Sequence, residues 1–120
     1  YLLSMEQGVL KGQAVVRELA QLSDEGFRPR LIFVHGGNGL SLFIKHVFPE
    51  ARLIAYMEWW FRDETAQWSF PDYPFDQRLR TTMRNSVILQ ELEQCDVAVT
   101  PTAWQHWVAM GTATAVHPVF

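Results

Sequence analysis

Cysteine is almost absent from this chain: Cys95 stands alone. One thiol excludes an intrachain disulfide and a thiolate zinc cluster, and it fits a reducing compartment. No basic run occurs and the net charge is -3, so the electrostatic footprint of a nucleic-acid-binding domain is lacking and no nucleic acid is expected as a partner. No apolar stretch approaches the roughly 20 residues that cross a bilayer. There is no signal peptide, and the chain opens on Tyr1 rather than Met, so it reads as lacking its natural start. Repeats, low-complexity tracts and internal boundary signals are missing as well. His35, His46, His106 and His117 are not spaced as metal ligands with Cys95, so no metal is expected.

What remains is one domain's worth of chain, 120 residues, of which 48% are hydrophobic, enough to bury a core. Leu31-Ile32-Phe33-Val34 reads as a buried strand of a parallel sheet. His35-Gly36-Gly37-Asn38-Gly39 follows, a turn in which three glycines let the backbone bend and approach a ligand. A helix over Leu40 to His46 would aim its first N–H groups back into that turn. Together these make an anion-binding corner at the carboxyl end of a strand.

Elsewhere the pattern alternates helix and strand. Ser4 and Gln7 have capping-box spacing ahead of a helix whose apolar residues include Met5, Val9, Val16 and Leu19. Gly8 and Gly12 either weaken its first turns or let another backbone come close, and Gly26 ends it. Arg52 to Met57 reads as a second strand. Residues 63 to 75 read as a long loop, the kind that is functional or forms a lid. Asp76 is placed to cap a helix with Leu79, Met83, Val87, Ile88, Leu92 and Cys95 along one stripe. Asp96 to Thr100 is a third strand, Thr102 an N-cap for a last helix, and Ala115-Val116 the start of another strand. This order predicts an α/β fold with right-handed crossovers, a parallel sheet and helices on both faces.

Several side chains have two readings. His35 is either an acid/base or hydrogen-bonding group facing a substrate, or a ring that ties the turn together. Glu58, just past the second strand, either binds sugar hydroxyls or acts as a base, or pairs with Arg52, Arg62 or an arginine of the long helix. Arg62, Arg80 and Arg84 either clamp a phosphate or form a solvated face. The aromatic cluster between Tyr56 and Phe75 is either a sugar- or lipid-facing surface or a lid packed on the core. Gly37-Asn38-Gly39 is not a dinucleotide fingerprint, because Leu42 occupies its third glycine position. Ser41 lies in no nucleophile elbow.

The run His35-Gly-Gly-Asn-Gly-Leu-Ser-Leu-Phe-Ile-Lys-His-Val-Phe-Pro-Glu-Ala-Arg-Leu-Ile-Ala-Tyr-Met-Glu58 resembles the amino-terminal domain of family 4 glycosyltransferases. Its close subgroup has a His-Pro-Gly-Trp-Gly-Glu turn, a Phe-Pro-(Asp/Glu)-Ala-Arg-Leu stretch and a Tyr-x-Glu-(Phe/Trp)-aromatic segment. Arg78-Leu-Arg, Arg84-Asn85 and Asp96-Val-Ala-Val-Thr-Pro-Thr-Ala-Trp-Gln105 resemble its arginine-rich helix and its (Ser/Thr)-Pro-Thr-x-Trp-Gln segment. The likeness runs from about residue 12 to residue 107. The proline, tryptophan and glutamate of the family turn are Gly36, Asn38 and Leu40 here.

The resemblance implies a parallel-sheet, Rossmann-like three-layer domain spanning residues 1–120. It would be the amino-terminal half of a GT-B fold, incomplete because the opening strand is missing. It implies an acceptor-side domain of a retaining glycosyltransferase, which moves a sugar from a nucleotide-sugar donor to a glycan or lipid-linked acceptor. Such a domain needs no metal or cofactor and is inactive without the carboxy-terminal donor domain of the same parent protein. Carried over by position, His35 is catalytic. Gly36, Gly37, Asn38, Gly39, Glu58, Thr102, Trp104 and Gln105 bind substrate, and Arg62 joins them on its own reading as a phosphate clamp. The expected location is cytoplasmic or at the membrane periphery, and an exposed sheet edge would allow a homodimer. The alternative is a standalone Rossmann-like module that binds a ligand or partner without catalysis.

Overall fold

The computed structural model describes residues 1–62, 72, 74–109 and 116–118. In chain order they form α1 (Leu3–Asp24), β1 (Leu31–His35), α2 (Ile44–Val47), β2 (Arg52–Tyr56), α3 (Phe75–Gln94), β3 (Val97–Thr100), α4 (Ala103–Ala109) and β4 (Val116–Pro118). The four strands lie in the order β1-β2-β3-β4 and all pair in parallel. The α/β class and the parallel sheet are as the sequence pattern predicts, and the Rossmann-like character is as the family resemblance implies. The expected long loop over residues 63 to 75 falls mostly outside the described residues.

Strands laid down in sequential order with right-handed crossovers place their connecting helices on one face. Burial agrees. Leu53, Ala55 and Ala98 have no exposed surface, and they form the covered side with Met57, Ile88 and Leu92. On the opposite side Leu31 and Phe33 are 57% and 63% exposed, and Phe33 is in register with half-buried Ile54. The sheet is therefore covered by the described helices on one face, not on both.

Local chemistry explains most element ends. Gly26 takes a positive φ, and Phe27 N–H bonds Leu22 C=O across it at 2.9 Å, closing α1 in a Schellman turn. The expected cap at Ser4 is not used: α1 starts at Leu3, so Ser4 already lies inside it. Asp76 likewise falls in the first turn of α3, one residue past its start. Thr102 does cap α4, accepting the Gln105 N–H at 3.2 Å. The helix expected over Leu40 to His46 shrinks to Ile44–Val47, because the turn that begins in the glycines continues through Phe43.

At the amino end of the strands, Asp96 holds the layers together. Its carboxylate accepts the Leu53 N–H at 2.7 Å and pairs with Lys45 Nζ at 2.7 Å, while its own N–H donates to Leu53 C=O at 2.9 Å. The Lys45 ammonium, together with the Leu53 N–H, holds this carboxyl below the ordinary Asp range.

Candidate functional site

The carboxyl ends of β1 and β2 open into a cavity of about 410 Å³, within the range of small-ligand sites. Its floor is the glycine turn. Gly37 and Gly39 adopt φ of 94° and 88°, the left-handed region that favours glycine. Gly36 keeps the sheet register, donating its N–H to Tyr56 C=O at 2.8 Å. A Cβ on Gly36 would run into the Met57 sulfur. A Cβ on Gly39 would meet the backbone of Gly8, and one on Gly12 would lie 2.7 Å from Gly39 C=O. The second reading of Gly8 and Gly12 is thus the observed one: they let α1 lie against the glycine turn.

The turn's donors do not face the cavity empty. Glu91 of α3 is fully buried. Its carboxylate accepts the Gly37 N–H at 2.6 Å, the Ser41 N–H at 3.2 Å and the Ser41 hydroxyl at 2.9 Å. Two N–H groups of the turn thus hold a carboxylate of the same molecule, and no helix N-terminus joins them, because α2 begins only at Ile44. Sequence reasoning missed Glu91. The available signal was its position four residues after Val87 and three after Ile88, on the apolar stripe of α3, where a carboxylate needs internal partners.

His35 and Glu58 face each other at this end of the sheet. His35 Nε2 lies 3.4 Å from Glu58 Oε2, with the two side chains 50% and 40% exposed. Glu58 thus pairs with His35 rather than with an arginine. The His35 ring also stands 5.6 Å from that of Tyr56. Both His35 and Glu58 line the cavity, as do Gly36, Gly37 and Asn38.

The remaining sequence-predicted residues lie further out. Arg62 donates from Nε to Val108 C=O at 2.6 Å, tying the segment after β2 to α4. Thr102 and Gln105 bond each other through their side chains at the start of α4. Trp104 meets Trp59 edge to face at 6.3 Å, and Trp59 lines the cavity, so α4 reaches the site through this ring pair. Asn85, on α3, brackets the backbone of Phe61: it accepts the Phe61 N–H at 2.9 Å and donates to Phe61 C=O at 2.6 Å. That fixes the wall carrying Trp59 and Phe61. The arginines separate in kind. Arg80 pairs with Asp76 at 2.8 Å, whereas the Arg84 guanidinium stacks over the Phe61 ring at 4.4 Å and lines the cavity.

Fold and site define an α/β domain with a ligand-sized cleft at its strand ends, lined by an imidazole, a carboxylate and a glycine turn. A family model described as glycosyl transferase family 4 group matches residues 1–108, most of the chain. The chain belongs to that family and carries a domain of a glycosyltransferase. No curated protein and no solved structure matches it.

Proposed function

We propose that the chain is the acceptor-side domain of a retaining glycosyltransferase of polysaccharide biosynthesis. In this reading it holds a glycan or lipid-linked acceptor while a carboxy-terminal domain of the same parent protein presents the nucleotide sugar. The nucleotide sugar is the substrate, with no metal or cofactor, and the reaction belongs to the cytoplasm or the membrane periphery. The observation that carries the proposal is the His35–Glu58 pair, 3.4 Å apart and half-exposed at the mouth of the cavity. A sugar hydroxyl is both donor and acceptor. It can donate to the Glu58 carboxylate while accepting from the His35 ring N–H, so both poles are satisfied by one pair. His35 then positions and polarises the reacting sugar, and fixed dipoles around it stabilise charge as it develops.

The rival, a module that holds an anion in the glycine corner, is weakened because the Gly37 and Ser41 N–H groups already bond Glu91. The experiment is a titration of the purified chain with neutral oligosaccharides and, separately, with nucleotide sugars, followed by NMR. The expected result is glycan binding that His35→Ala and Glu58→Gln remove, no comparable binding of nucleotide sugars, and no turnover. Tight nucleotide-sugar binding, or turnover by this chain alone, would overturn the reading. A homodimer through the outer edge of β1 belongs to the same reading, and a concentration-independent monomer mass would refute it.

A further inference from the structure

We infer that the cavity contains a separate anion subsite, formed by Lys11 and Arg84, for a phosphoryl group carried on the acceptor sugar. This deepens the acceptor-side reading and rests on it. Ser4, Gln7, Gly8 and Lys11 line the cavity from α1, at the spacing that puts them along one face of a helix. The face of α1 that approaches α3 and the turn would ordinarily be apolar. Here it carries a hydroxyl, an amide and an ammonium, a wall suited to a hydrated ligand. Arg84 enters from α3, opposite. Its stacking over Phe61 fixes the guanidinium plane, and that preorganisation favours planar, two-pronged recognition of an oxyanion.

Three further observations place an anion there. Among the described residues, neither Lys11 nor Arg84 has a carboxylate partner. The only carboxylate among the described residues lining the cavity is Glu58, already beside His35, so two cations face one paired anion. Two backbone donors of the turn, the Gly37 and Ser41 N–H groups, are already taken by Glu91. A phosphate monoester carries close to two negative charges at neutral pH, which matches two cations from two helices. The sugar ring would then lie between that subsite and the His35–Glu58 pair.

The test is a titration of the chain with glucose, glucose 6-phosphate, glucuronate and uridine diphosphate, each read by calorimetry and NMR. Glucose 6-phosphate should bind roughly tenfold or more tightly than glucose, about the factor that 1.4 kcal/mol gives, and glucuronate should fall between them. Lys11→Gln and Arg84→Gln, both at exposed side chains, should each shrink that preference and lower its salt dependence. Equal binding of glucose and glucose 6-phosphate, or a preference that survives the double substitution, would overturn the subsite. If both sugars nevertheless bind through His35, the acceptor-side reading stands without it. If uridine diphosphate binds as tightly through Lys11 and Arg84, the anion belongs to a donor and the proposal fails. Phosphate-dependent binding indifferent to His35→Ala would keep the subsite and sink the acceptor reading. Failure of every probe to bind would overturn the proposal.

Discussion

The glycine turn has an inner and an outer side, and they are built on opposite terms. On the inner side, toward α3, the polar groups of Gly37 and Ser41 converge on a carboxylate with no exposed surface. On the outer side His35 and Glu58 stand half-exposed at ion-pair distance, and Asn38 is exposed. A buried carboxylate that accepts three hydrogen bonds is part of the frame. A half-exposed pair contributes little to folding and keeps its capacity for a ligand. Two glutamates near one turn therefore have different work: Glu91 shapes it and Glu58 faces what enters.

Substitutions can break that contrast, and the largest effect belongs to the inner side. Glu91→Leu strands the two buried donors of Ser41 and the half-buried Gly37 N–H, each buried one costing on the order of 1 kcal/mol or more. The expected loss is about 3 kcal/mol, and a drop in Tm on the order of 10 °C, measured by thermal unfolding under circular dichroism. Glu91→Gln retains one acceptor oxygen and should lose less. An unchanged Tm for the leucine variant would make Glu91 no part of the frame.

Gly39→Ala should come next, at about 2 kcal/mol, because it combines a positive φ with a side chain directed into the Gly8 backbone. Urea unfolding would read it. A neutral result would mean that α1 shifts freely away from the turn.

Asp96→Asn tests a tie at the other end of the sheet and should cost about 1 kcal/mol at neutral pH, discounted because the group is partly exposed. Its carboxyl is held low when folded, chiefly by Lys45. Its contribution is thus complete above the ordinary Asp value of about 3.9 and is lost as the pH falls through the lower folded value. The stability curves of the wild type and of the D96N variant should therefore converge in acid. Curves that stay parallel to low pH would refute the tie.

The smallest change in stability belongs to the outer side. Glu58→Gln and His35→Gln should each shift unfolding by less than about 0.5 kcal/mol while weakening glycan binding. A large loss of stability from either would move the pair into the frame and erase the distinction between the two sides.

The sequence pattern made much of this legible, for identifiable reasons. Strands β1, β2 and β3 announced themselves as short apolar runs, and Val87, Ile88 and Leu92 as a helical stripe that is buried as expected. Thr102 capped its helix because a threonine followed by a glutamine three residues on is a local signal needing no tertiary partner. Ser4 carried a similar signal and failed, since α1 begins before it. His35 and Glu58 could be placed at one end of the sheet once the strands were read as parallel. Glu91 showed only as a carboxylate on an apolar stripe, and its partners were hidden because they lie in a turn fifty or more residues away. The face that the described helices leave open was equally hidden: strand order decides it, and strand order is a property of pairing rather than of any one segment.

The sheet face that the described helices leave open should make this domain surface-active. Leu31 and Phe33 turn most of their side chains to water, on a side of the sheet that the described helices leave open, so solvent-ordering cost persists in the folded state. The expected consequence is adsorption of the dilute chain at air and vessel boundaries. Recovery should rise with a trace of mild detergent or an inert carrier protein, and Phe33→Ser should make either one unnecessary.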